Sequence, residues 1–375
     1  MKLIGLDTIA EAPTDWSEVF DFREDLDELK TKIEKYRKYK NFIIIGNGGS
    51  ITSFEAYYRA LQPDREAAIL STMEPRLIEE LKKKYSPEDT LVVPISKSGL
   101  NLGPIEIFLA FVDYPTLVIT NPNEGALLEI ARKRGYEIID HPAIGGRFSG
   151  GTATALVPAL LCGLDANQIL SGLYEGYGLK KEAYSLSKRM FELENNGYSE
   201  VFLPIYSHYL MGFENMIVQL MHESVCKNGQ GQTFYAAFSP EAQHHTNQRL
   251  LGGRKNVAAI FLKYENESIS VSVPDDLKDV DIRGEKLDFI DGLPYQKGLL
   301  AEYMGTKKDA DLNNVPNFTI TLQKIDAFEI GELLGFWHLV TFYSCVLRGV
   351  NPFDQPAVEN SKQITVDEIK KLQKK

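Results

Sequence analysis

The chain has 375 residues, 43% of them hydrophobic and 25% charged, with a formal net charge of −11 at pH 7. That length and balance fit a globular protein large enough for two domains and exclude a disordered or fibrous chain. The acidic excess argues against a general nucleic-acid surface, which needs a basic face to displace phosphate counterions; a small anionic ligand then requires a local gathering of cations.

In chain order, residues 1 to about 38 open loosely and then read as a charged helix over 23–39, with Leu26, Leu29, Ile33 and Tyr36 at spacings of three and four. No run is read as approaching the roughly 20 apolar residues that cross a bilayer. Residues 1–7 are too brief and too soon acidic for a signal peptide, so no membrane partner and a cytoplasmic setting are expected. From residue 41, short apolar runs of the kind buried on both faces of a parallel sheet alternate with helical patterns. Strands are predicted over 42–45, 67–70, 91–95, 116–119 and 136–139, with helices between them. This alternation predicts an α/β fold, doubly wound with a mainly parallel central sheet.

A glycine-rich turn over 145–152 leads into an apolar helix over 153–161, and residues 167–195 read as mostly helical. The polar run Glu194-Asn195-Asn196-Gly197 marks a boundary, so we expect an N-terminal α/β/α domain over 1–195 and a C-terminal one over 196–375. The second alternation has strands over 201–206, 257–261, 269–273 and 317–322. Its helices lie over 209–223, 295–305 and 329–347, with another near 245–251 and a glycine-rich loop over 226–232. The tail, basic at its end, reads as a solvated terminal helix with cations near its negative pole.

Two loops of one build stand out. Gly46-Asn47-Gly48-Gly49-Ser50 and Ser96-Lys97-Ser98-Gly99 each follow a buried strand and open a helix. Free backbone N–H groups, a helix N-terminus and hydroxyls converge there, which suits a phosphate. An ordinary helix cap with serines accounts for either loop alone; two in successive units meet at the carboxyl edge of one sheet, where ligands bind in open α/β folds. Neither loop has the lysine-serine/threonine ending of a P-loop or the third glycine of a dinucleotide fingerprint. Cys162, Cys226 and Cys345 lack C-x-x-C spacing and suit a reducing compartment. No metal-ligand spacing occurs, and no cofactor is expected.

The two loops resemble the sugar-phosphate loops of the sugar isomerase (SIS) domain. Gly145-Gly146-Arg147-Phe148-Ser149, then Glu223-Ser224 with Lys227 and Gly229, and above all the C-terminal stretch from Phe353-Asp354-Gln355 to Lys362, resemble the glucose-6-phosphate isomerase family in its short prokaryotic form. The resemblance runs from about residue 41 to about 365. It implies reversible aldose–ketose isomerisation through an enediol, with Glu223 as the base that takes the proton from C2 and returns it to C1. It implies His244 as the ring-opening histidine, preferred over the adjacent His245, since an imidazole both accepts and donates near neutrality. Arg147 would stabilise the enediolate oxygen, and Lys362 and Gln355 would contact substrate near the ring oxygen and the phosphate. Gly48, Gly49, Ser50, Ser96, Lys97, Ser98 and Asn101 would bind the phosphate.

Leu100 and Asn101 stand where many members carry two threonines, which removes at least one phosphate hydroxyl; Asn101 can replace another. His141, His208, His222 and His338 show no partner spacing and are expected to be structural. The resemblance also implies a homodimer whose histidine crosses to the neighbouring subunit's site. Two alternatives stay open: a relaxed enzyme that also accepts mannose 6-phosphate, and a sugar-phosphate sensor without turnover, which has no need to keep Glu223, His244 and Lys362 together.

Overall fold

The structure is a computed structural model, in which residues 1–265 and 269–374 are described. A short strand β1 (Lys2–Ile4) precedes helix α1 (Leu26–Ile33), whose first turn is capped by the Asp25 carboxylate accepting from the Asp27 and Glu28 N–H groups. The helix expected over 23–39 is thus shorter and ends in a 3-10 turn, Glu34–Tyr36.

The first sheet is built from β2 (Asn41–Ile45), β3 (Glu66–Leu70), β4 (Thr90–Ser96), β5 (Leu117–Thr120) and β6 (Glu137–Asp140). Helices α2 (Thr52–Leu61), α3 (Pro75–Lys84), α4 (Leu102–Leu109) and α5 (Ala126–Arg134) connect them. The order is β3-β2-β4-β5-β6, all parallel. Every residue of β4 is buried, which is why its run shows no polar alternation. Successive crossovers run in opposite directions from β2, so the winding reverses between β2 and β4, where the two glycine-bearing loops emerge.

Helices α6 (Ala153–Cys162), α7 (Ala166–Gly178) and α8 (Lys180–Asn195) lead to the second half. There follow β7 (Glu200–Ile205), α9 (Phe213–Val225), β8 (Thr233–Phe238), α10 (Thr246–Gly252), β9 (Val257–Tyr264), a hairpin of β10 (Asp281–Ile282) and β11 (Glu285–Lys286), α11 (Tyr295–Leu312), β12 (Asn317–Leu322), α12 (Ala327–Arg348) and α13 (Glu359–Leu372). The second sheet has the order β1-β12-β9-β7-β8. Its strands β8, β7, β9 and β12 repeat the parallel winding of β3, β2, β4 and β5, and β1 pairs antiparallel on the far edge.

Three elements differ from expectation for physical reasons. β8 was not predicted, because its residues are only partly covered and carry no clean alternation. The strand expected over 269–273 does not form: the edge of β9 is taken by β12, and Ser270 only bridges Pro294. β1 becomes a strand because β12 offers it a free edge. It thereby crosses the division expected near residue 195, as do α7 and α8, which pack on α12.

α12 is the core helix. Contrary to the expectation of no such run, its 22 residues are long and apolar enough to cross a membrane by length and composition. Phe336, Trp337 and His338 along it are wholly enclosed by protein, however. It meets α7 through glycines four apart on each helix: a Cβ on Gly172 would lie 1.8 Å from the Phe328 carbonyl oxygen, and one on Gly331 2.0 Å from that of Ile169. Only glycine allows the backbones this close.

Candidate active site

The two loops lie side by side because β2 and β4 are neighbours. The first continues as a 3-10 turn, Gly48–Ser50, directly into α2. Gly49 rests against the backbone of the Gly-Gly-Arg turn: a Cβ there would fall 2.1 Å from the Gly146 carbonyl carbon. Gly48 has φ +52°, and a Cβ on it would strike the Gln219 side-chain nitrogen at 2.6 Å. The glycines therefore serve to bring three segments together as well as to expose N–H groups.

In the second loop Ser96 is buried, and its hydroxyl accepts the Gly99 N–H at 3.2 Å. The exposed Ser98 accepts from Leu100 N–H at 3.2 Å. Ser96 thus shapes the loop, while Ser98 and Lys97 face outward. Lys97 donates to the Ala143 carbonyl at 3.0 Å, and burial together with the Arg147 charge lowers its pKa. Asn101 stands at the N-cap of α4 without capping it through its side chain, and Leu100 is 67% exposed beside it.

Arg147 is the centre of the arrangement. It is buried, and each of its N–H groups has an acceptor. Nε donates to Ser224 Oγ at 2.6 Å; Nη1 donates to Gln355 Oε1 at 2.8 Å and to Glu223 Oε2 at 3.1 Å; Nη2 donates to the carbonyls of Pro352 at 2.7 Å and Asp354 at 2.8 Å. Burial lowers its pKa and the Glu223 charge opposes that shift, so the guanidinium stays charged. Residues far apart in the chain are gathered by this one planar fork. The Glu223 side chain is 33% exposed, so it is held yet reachable.

Gln219 was not singled out from the sequence. It lies one turn before Glu223 on α9, donates to Glu223 Oε1 at 3.1 Å, and accepts from Thr52 Oγ1 at 3.1 Å. It thus links the first loop's helix to the carboxylate. The i, i+4 spacing of Gln219 and Glu223 on a helix otherwise buried by its apolar face is the signal that could have found it. Lys227 closes the other side, pairing with Asp354 at 2.6 Å and donating to the Asn351 carbonyl.

Two expected residues are not brought to this cluster within the chain. His244 ends a 3-10 turn before α10 and, with Asn247, Glu302 and Thr306, lines a separate cavity of about 470 Å³ between α10 and α11. Lys362 lies on α13, a helix without a buried residue, and pairs with Glu359 at 2.7 Å. Among the other histidines, His222 accepts the Phe234 N–H at 2.8 Å, His338 bonds the Tyr177 hydroxyl, and His141 bonds the Pro142 carbonyl. His245 bonds the Thr246 hydroxyl at 2.6 Å. Among the described residues no group of His, Cys, Asp or Glu is arranged to hold a metal ion.

No protein-family model matches the chain. Curated sequences do. A glucose-6-phosphate isomerase of Acholeplasma laidlawii is 27% identical over 372 residues, covering 91% of this chain and 86% of its own. One of Methanocaldococcus jannaschii is 27% identical over 363 residues, covering 92% and 88%. Among solved structures, a hypothetical protein of Thermus thermophilus superposes with a TM-score of 0.82 at 24% identity, over 94% of this chain and 89% of that one. A glucose-6-phosphate isomerase of Chlamydia trachomatis gives 0.74 at 20% identity, over 92% and 74%. Over nearly its whole length the chain is thus similar to glucose-6-phosphate isomerases, and its fold is like that of a tagatose-6-phosphate ketose/aldose isomerase of Escherichia coli.

Proposed function

We propose that this protein interconverts glucose 6-phosphate and fructose 6-phosphate through an enediol, with proton transfer by Glu223. The observation that carries the reading is the half-reachable Glu223 carboxylate held between Gln219, which lies against the first glycine loop, and Arg147, which holds the Gln355 segment. An aldose–ketose shift needs one group that removes the C2 proton and delivers it to C1, and a carboxylate gripped from both sides keeps a single position for both transfers. As the enediolate forms, negative charge grows beside the buried guanidinium, where a fixed cation acts strongly. Because every N–H of Arg147 is already engaged, its 3.1 Å contact to Glu223, the longest of the set, is the one that opens to share Nη1 with a substrate oxygen.

The phosphate sits at the first sheet's carboxyl edge, on the N–H groups of Gly48, Gly49 and Ser50 and on Lys97 and Ser98, with Ser96 shaping the loop and Asn101 beside it. Gln355 faces the sugar. His244 opens the ring from the neighbouring subunit of a homodimer, and Lys362 meets the ring oxygen when α13 folds toward the cleft. The enzyme works in the cytoplasm, in glycolysis and gluconeogenesis.

Support for the reaction comes from the isomerase relatives and from the chemistry of the gathered residues. The test is turnover of fructose 6-phosphate coupled to a dehydrogenase, run also in deuterium oxide. Product carrying deuterium at C2 is the expected result. Binding of the sugar phosphate without turnover overturns the reading in favour of a sensor, and equal turnover of mannose 6-phosphate widens the substrate.

A further inference from the structure

The loop that follows Glu223 ends on an enclosed ion pair that the proposed reaction does not use. Glu194, near the end of α8, meets Arg348, the last residue of α12; the Arg348 side chain is 1% exposed and that of Glu194 17%. Arg348 Nε donates to Glu194 Oε2 at 2.9 Å, Nη2 donates to the same oxygen, and Nη1 donates to the Ser344 carbonyl at 2.9 Å. The guanidinium also lies over the Phe191 ring, 5.1 Å from its centroid. The other carboxylate oxygen of Glu194, Oε1, accepts the Gly231 N–H at 2.6 Å. Gly231 has φ +104°, and a Cβ on it would fall 2.7 Å from Cys226 Sγ, so the loop folds back on its own start at a point that only glycine allows. Glu194 thereby ties this loop to the end of α12.

These contacts close a circuit around the proposed base. From Gly231 the chain leads back to Glu223 through Lys227, which pairs with Asp354 at 2.6 Å and donates to the Asn351 carbonyl. From Arg348 the chain leads on to Pro352 and Asp354, whose carbonyls accept Arg147 Nη2, and Arg147 Nη1 donates to Glu223. Both stretches of chain that leave the ion pair therefore end on one carboxylate, one through the backbone and the other through Arg147. Stability alone is a poor reason to enclose such a pair, because desolvation offsets much of the attraction and apolar residues of similar volume often hold a fold as well or better. What apolar side chains lack is direction: charge-assisted hydrogen bonds fix a distance and an angle.

We infer that Glu194 and Arg348 are positioning residues: with the Gly231 bond, their pair holds the loop after Glu223 against the end of α12 and so sets the spacing between the Glu223 carboxylate and the segment that carries Gln355. The inference rests on the proposed role of Glu223 in the reaction, and its tests separate the two. The first needs no turnover. The double variant Glu194→Gln/Arg348→Met removes both charges and leaves the Gly231 N–H an acceptor. Hydrogen exchange followed by mass spectrometry should show residues 226–232 and 350–355 exchanging roughly tenfold faster than in the wild type, with β2 unchanged. Unchanged exchange in either stretch overturns the inference whether or not the protein has activity.

The second test compares variants in the fructose 6-phosphate assay. Arg348→Met alone leaves the Glu194 carboxylate enclosed without its partner and should lower the melting temperature most, whereas the double variant should regain much of it. In both, kcat should nonetheless stay roughly tenfold low, as a small displacement of a reacting group requires. KM should stay within about twofold, because the phosphate loops are untouched. Arg348→Lys keeps a cation within reach of Glu194 and should retain more of the rate than Arg348→Met. If the double variant regains rate together with melting temperature, or if Arg348→Lys is no faster than Arg348→Met, the pair only stabilises the fold and the positioning role is wrong. A wild-type protein without turnover instead removes the reaction, and the exchange result then decides the inference alone.

Discussion

The Arg147 cluster and the pair formed by His244 and Lys362 are opposite in construction. Arg147 and Ser224 are buried, every guanidinium N–H is bonded, and glycines let three backbone segments touch. His244 and Lys362 sit on exposed elements, one beside a separate cavity and the other on a helix with no buried residue. A cluster held by many packed and charge-assisted contacts is preorganised before any ligand arrives. An exposed lysine whose one ion pair among the described residues is a surface pair with Glu359 has little to hold it, since such pairs contribute about 0–1 kcal/mol. Packing in one chain completes the first part; on the proposed reading, substrate or a second subunit completes the second.

The comparison can be broken first at the base. Glu223→Gln keeps the contacts with Gln219 and Arg147 but cannot take a proton, so turnover should fall by at least roughly 100-fold while sugar-phosphate binding is nearly kept. Near-normal rates would move the base elsewhere and leave the Arg147 cluster purely structural. Next is Lys362→Ala: a rate loss of about tenfold with an unchanged melting temperature is expected for a group that acts only when α13 closes. A loss of stability without a loss of rate would reverse that assignment.

A smaller effect sharpens the other exposed residue. If His244 serves the neighbouring site, mixing inactive Glu223→Ala and His244→Ala proteins should restore roughly a quarter of wild-type activity, because about half of the re-paired dimers carry one intact site. Activity that stays at the level of the separate variants, after subunit exchange is verified by native mass spectrometry, would show the histidine to act within its own chain or not at all. The smallest effect concerns the buried side. His338 has its folded pKa lowered to about 3 from an ordinary 6.5, so below pH 6.5 the unfolded chain binds a proton that the folded chain does not. Stability contributed by the neutral ring is thus complete above pH 6.5 and is lost as pH falls toward 3, by about 1.4 kcal/mol per pH unit. Denaturant titrations from pH 7 to 5 should show stability falling, with His141 and His222 adding to the fall because burial lowers their pKa as well, and His338→Phe should make it less steep.

Much of the first half could be read from residue order. Phe42-Ile43-Ile44-Ile45 and the run before Ser96 announced buried parallel strands, and their loops ended at one sheet edge as the alternation required. Glu223 and Arg147 could be put forward as site residues only through their resemblance to a family, since a glutamate at a helix end and an arginine in a turn are ordinarily surface groups. Gln219 escaped notice because its significance lies in a contact with Thr52, 167 positions away. The failed strand over 269–273 and the unexpected β1 share one cause: a strand forms where a free edge exists, and edges belong to the sheet.

What the sequence by itself determined was local: which runs are buried on both faces, where glycines free the backbone, and where a helix can begin. Those follow from side-chain period and backbone freedom, which act over a few residues. The tertiary structure decided which of those pieces meet. It set the glycine crossing of α7 and α12, the five-way grip of Arg147 on residues 76 to 208 positions apart, and the separation of His244 and Lys362 from it. Such meetings depend on burying apolar faces over the whole chain at once, and no window of sequence contains that sum.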